Sequence, residues 1–114
     1  EAYDKQQEAG ITMNVYPLND LIEFSPDQHT KHVFFEREKV KAQVGTLDSG
    51  QQIPPCRMDH DVIFVVLEGN GKIVVDGENT AIEKFSFVFI PKEKESRSLE
   101  AETKMVVLAI QVKS

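Results

Sequence analysis

The chain has 114 residues and a mass of 12.9 kDa, enough for one hydrophobic core and too little for two. A formal charge of −6, from 13 basic and 19 acidic residues, argues against nucleic acid and against anionic membrane surfaces, both of which need a basic face. Hydrophobic residues at 40% and charged residues at 28% place it with globular rather than disordered proteins, and no apolar run approaches the roughly 20 residues that span a bilayer.

Residues 1–12, EAYDKQQEAGIT, are polar and lack an apolar period, so a loosely held arm is expected there. From residue 13 to 114 the pattern is that of one domain of short β-type segments separated by turn residues. MNVYPL (13–18) and NDLIEF (19–24) precede the punctuation Ser25-Pro26-Asp27. HVFFERE (32–38) is a short apolar strand, and VKAQVGTL (40–47) alternates with Val40, Ala42 and Val44 on one face. Asp48-Ser49-Gly50 ends it as a turn.

VIFVVL (62–67) and KIVVD (72–76) are joined by Glu68-Gly69-Asn70-Gly71, which predicts a hairpin because Gly and Asn tolerate positive φ. Asp76-Gly77 predicts a further tight turn. FSFVFI (85–90) and MVVLAIQV (105–112) are apolar on both faces, so both are expected to be covered from two sides. In FSFVFI the faces are Phe85, Phe87, Phe89 and Ser86, Val88, Ile90; one should line the interior, the other packing outside against an arm or a partner. KEKESR (92–97) mixes charge signs and reads as an exposed loop. Many short strands and frequent turns predict an all-β, single-domain antiparallel barrel or sandwich.

The run 50–69, GQQIPPCRMDHDVIFVVLEG, resembles the first signature of the cupin superfamily: glycine, His-any-His, glutamate, glycine, with both glycines at the family spacing and a closing VLEG. In FSFVFIPKEKESRSLE (85–100), aligned on the second signature, Phe85 takes the first glycine place, Pro91 the proline, Ser96 the histidine and Glu100 the asparagine. The resemblance covers about residues 38–113 and implies a jelly roll (an RmlC-like double-stranded β-helix) with a pocket at one mouth, in a family whose members often dimerise. It also implies where a metal would sit. Cys56 and Met58 occupy the two histidine places, Val62 the glutamate place and Ser96 the last histidine place. Val62 cannot ligate and Ser96 is a poor donor for a first-row divalent ion, so no resident metal or cofactor is expected.

Cys56, Met58 and His60 alternate, and a strand would send all three side chains to one face, a set suited to a soft ion such as Cu(I). The plainer reading makes Cys56 and Met58 adaptable hydrophobes filling the barrel and Cys56 an inert, buried thiol. His29 and His32 sit in a polar segment and are expected to be solvated, as are Asp59 and Asp61 beside His60. A pocket walled by Cys56, Met58, His60, Val62, Phe64 and Ser96 suits a small, mostly apolar molecule. The leading expectation is a metal-free barrel binding a small molecule in a sensor or accessory role, as a homodimer. The alternatives are a metal-independent isomerase or epimerase using His60, and a copper site at Cys56, Met58 and His60. The single cysteine forms no internal disulfide, so the cytoplasm is the expected compartment.

Overall fold

The computed structural model describes residues 13–113, so the arm expected over 1–12 lies outside the described residues. Nine strands run in order through the described residues: β1 Thr30–Arg37, β2 Val40–Leu47, β3 Gln52–Cys56, β4 Asp61–Glu68, β5 Asn70–Val75, β6 Glu78–Glu83, β7 Phe87–Ile90, β8 Arg97–Ala101 and β9 Met105–Val112. They form a five-stranded sheet, β1-β2-β9-β4-β7, and a four-stranded sheet, β3-β8-β5-β6. All pairings are antiparallel, the all-β barrel architecture expected from the sequence. A 3₁₀ turn at Leu18–Leu21 stands in the lead-in segment, where β-type structure was expected.

β2 and β9 are interior strands of their sheet, and β9, covered on both faces, reads as a nearly continuous apolar run, whereas β2 reads as an alternation. Their register pairs Leu47 with Met105 and Gly45 with Val107. The core between the sheets includes Leu47, Val66, Ile73, Ile82, Leu99, Ala101, Met105 and Val107. The row Ala42–Val44 faces outward instead. It is buried, and Thr46 farther along the same row ties β2 to the lead-in segment, whose Glu23 carbonyl accepts hydrogen bonds from the hydroxyls of Thr30 and Thr46, both at 2.9 Å. The inward row of β2 is therefore Gln43, Gly45 and Leu47.

Asp76 and Gly77, at φ 49° and 84°, make the two-residue turn of the β5–β6 hairpin. The Glu68–Gly71 segment is not a hairpin: β4 and β5 belong to different sheets, and the chain crosses between them here. Gly69 has φ 84°, and a Cβ there would overlap the Lys104 carbonyl; a Cβ at Gly71 would overlap the Glu100 carbonyl. The Asn70 carbonyl accepts N–H bonds from Glu102 at 3.0 Å and Thr103 at 3.2 Å, tying this corner to the β8–β9 loop. Positive φ marks a sharp corner as well as a hairpin, so local chemistry alone did not separate the two.

β7 departs from the expectation of two-sided cover. Val88 packs against the core and Ile90 is buried, while Phe85, Phe87 and Phe89 are 77%, 66% and 53% exposed. Phe85, at the place of a family glycine, adopts φ 75°, a region that favours glycine.

Candidate functional site: the interior cavity

Toward the ends of the sheets where β3 stops and β8 begins, the core opens into a cavity of about 170 Å³. Its origin is local. β2 and β9 carry Gly45 and Ala109 on their inward rows, and neither fills the space a Val or Leu would take. Apolar walls come from Ile53, Met58, Val62, Phe64, Ile73, Leu99 and Val107, and polar positions from His29, Gln43, Arg97 and Gln111 among others.

Of the residues singled out from sequence, Cys56, Met58, Val62 and Phe64 line the cavity and are brought together. Val62 is 2% exposed, whereas Cys56 is exposed, not buried as expected, because β3 is an edge strand that ends there. His60 and Ser96 do not line it. β3 ends at Cys56 and the chain bends at Asp59 and His60, so the alternation that would have aligned Cys56, Met58 and His60 is broken. His60 is half-buried outside the cavity, and its Nδ1 has no hydrogen-bond partner among the described residues. Ser96 is held by Asp76: its amide donates to Oδ1 at 2.8 Å and its carbonyl accepts from the Asp76 N–H at 3.0 Å.

The residue that faces inward is the next one. Arg97 opens β8, pairs with Cys56 on β3 and Val75 on β5, and is only 4% exposed. The mixed charges of KEKESR predict the end of an exposed loop here, and the structure places it inside. The strand alternates from it, Arg97, Leu99 and Ala101 buried, Ser98 and Glu100 not, and that period-two pattern in RSLEA was the available signal. A shift of one residue puts the opposite side chain on a strand's inner face, so spacing fixed by a motif selected Ser96. Gln43 and His29 were also missed. Gln43 sits on the inward row of β2, opposite the apolar row that drew attention, and His29 is half-buried at the wall rather than solvated.

The electrostatics of the cavity centre on Arg97. Its Nε, Nη1 and Nη2 are all buried without a hydrogen-bond partner among the described residues. Burial pushes the guanidinium pKa down from its ordinary value, and charge on Cys56 and Asp61 pushes it back up. Asp61 makes no hydrogen bond to Arg97; its Oδ1 accepts the Lys92 N–H at 2.8 Å, rather than facing solvent as expected. Gln43 Oε1 is likewise buried without a partner.

This architecture has counterparts among solved structures. An RmlC-like cupin protein from Desulfovibrio desulfuricans superposes with a TM-score of 0.80 at 24% identity, over 89% of this chain and 97% of that one. A cupin superfamily protein from Desulfitobacterium hafniense DCB-2 gives 0.78 at 17%, over 87% and 90%. The chain has the cupin fold. Salicylate 1,2-dioxygenase from Pseudoaminobacter salicylatoxidans, solved with gentisate adducts, shares this cupin architecture at a TM-score of 0.71 and 21% identity, over 83% of this chain and 28% of that one. No protein-family model matches the sequence. An uncharacterized protein of Aquifex aeolicus (strain VF5) is 34% identical over 41 residues, 36% of this chain, and the match spans about a third of that relative's length (34%).

The metal that the cupin fold implies does not fit these residues. Val62 offers no donor atom, and the inward side chain nearest the last histidine place is a guanidinium, a permanent cation with no acceptor. Among the described residues, no three of His, Cys, Asp and Glu come together as ligands. A cation already fixed at the wall disfavours a second one beside it.

Proposed function

We propose that this cupin barrel binds a small, mostly apolar organic molecule between its sheets without a metal, in a sensor or accessory role. The observation that carries the reading is the cavity itself, about 170 Å³ opened by Gly45 and Ala109. Protein interiors normally pack to crystal-like density with few voids larger than a water molecule. A void with apolar walls and a few polar atoms awaiting partners has the make-up of a ligand pocket. His60 lies outside this space and so is not placed to act as an acid or base on a molecule bound in it.

A thermal-shift screen of a metabolite panel against the wild type and Ala109→Leu tests the reading. Leucine at this inward position fills the cavity from its own wall. Compounds that raise the wild-type melting temperature, by preferring the folded state, are expected to lose that effect in the variant. Equal responses from the two proteins, or none from either, would overturn it.

A further inference from the structure

We propose that the cavity is selective for small organic carboxylates that carry a hydroxyl group at their far end, the carboxylate on Arg97 and the far donor on Gln43 Oε1. This rests on the small-molecule reading above and names the ligand class for the same cavity.

Arg97 is the reason for an acid. Buried polar atoms in native proteins are nearly always hydrogen-bonded, and a buried cation without partners is among the most costly arrangements a fold can hold. Here all three guanidinium nitrogens lack partners, and the residue is 4% exposed at the cavity wall. An arginine does not shed its proton to escape this. Asp61 and Cys56 act on it through charge but make no hydrogen bond to it, so the partner its N–H groups lack is an anion from outside the described fold. The planar fork of a guanidinium matches a carboxylate with two parallel N–H···O bonds. The nitrogens are sealed at the wall, so entry requires wall side chains to give way, and Met58, an unbranched thioether, is suited to that.

The rest of the cavity sets the body of the ligand. Val62, Phe64, Leu99 and Val107 offer hydrocarbon contact, and the other lysine or arginine of the lining, Lys31, is exposed rather than buried beside Arg97, which favours one negative charge over a phosphate dianion. An apolar cavity of about 150 Å³ holds benzene, so 170 Å³ suits one ring or a short chain bearing the carboxylate. Gln43 lies on β2, in the sheet facing the one that carries Arg97. Its unpaired Oε1 is an acceptor, which a carboxylate cannot satisfy; the far end of the ligand has to donate.

Calorimetric titration with 4-hydroxybenzoate, benzoate, 6-hydroxyhexanoate and the amides of the two hydroxy acids tests the assignment on the intact chain. At least one hydroxy acid is expected to bind about tenfold or more tightly than its amide, the equivalent of about 1.4 kcal/mol. Arg97→Met should remove that preference, and Arg97→Lys, which keeps the charge without the fork, should retain part of it. If 4-hydroxybenzoate is the binder, its hydroxyl should contribute about fivefold over benzoate, and Gln43→Met should abolish that increment. Amides binding as tightly as acids in the wild type would overturn the carboxylate assignment while leaving the small-molecule reading intact. Silence from all five probes, with hits from neutral compounds in the metabolite screen, would do the same; silence in both would remove both readings.

Discussion

The two ends of this barrel use the same strands for opposite purposes. At one end Leu47, Met105, Ala101 and Ile82 close the core, and the chain is so tight at Gly69 and Gly71 that a single added carbon would meet backbone carbonyls. At the other end the same β2, β9 and β8 present Gln43, Ala109 and Arg97 around open space. Residues two apart on one strand differ between filling and yielding. Stability is thus concentrated in half of the sandwich, and the other half is free to carry a charge that packing alone would reject.

The sharpest way to break this contrast is the same truncation at both ends. Met105 is fully buried, and Met105→Ala is expected to cost about 2–5 kcal/mol. That is a large share of the roughly 5–15 kcal/mol that holds a domain together. Met58 lines the cavity and is partly exposed, so Met58→Ala should cost under about 1 kcal/mol. Urea denaturation of both variants measures the difference; similar losses would mean that the two ends are equally packed.

A second test reverses the usual sign of a core mutation. Replacing a buried, unpartnered guanidinium with an apolar side chain of similar length removes a desolvation cost, and Arg97→Met is expected to stabilise the ligand-free protein by about 1–3 kcal/mol. If Arg97 instead held the fold together through Asp61 or Cys56, the same variant would unfold at lower denaturant. A stabilising result fits a residue kept for binding, since functional sites commonly retain groups that cost stability.

What the sequence made legible follows the same division. β9 could be bounded to the residue because a strand covered on both faces leaves a run of apolar letters, and β2 because Val40, Ala42 and Val44 alternate up to the Asp48-Ser49-Gly50 turn. β3, β6 and β8 were not seen. β3 carries Pro54 and Pro55 on an edge with a register shift between Ile53 and Cys56, β6 is mostly exposed, and β8 begins with an arginine. Three of the four motif positions, Cys56, Met58 and Val62, reached the cavity because their spacing is set within a short stretch of chain. The fourth depended on the loop between β7 and β8, where one residue of length decides whether Ser96 or Arg97 points inward. Motif spacing carries no information about such a slip, and only the alternation of buried positions along β8 resolves it.

The smallest effect concerns the outside of the open sheet. Phe85 adopts φ 75° while 77% exposed, so its side chain gains little from burial and its backbone sits where an L-residue is disfavoured by roughly 1–2 kcal/mol. Glycine relieves that conformation but adds freedom to the unfolded chain, at a cost of about 0.5–1 kcal/mol. The net expectation for Phe85→Gly in a monomer is a gain of about 0.5–1 kcal/mol. The homodimer expected from sequence inverts the sign. Phe87 and Phe89 continue the same outward row across β4 to Ile63 and Val65, an apolar face on an edge strand of the kind that marks association. If two copies meet there, Phe85→Gly destabilises, and its sedimentation mass falls toward that of one chain at concentrations where the wild type holds two. A stabilised variant of unchanged mass would show that the row is bare in solution and that Phe85 is simply strained. Measured together, stability and mass separate an interface residue from a substituted glycine.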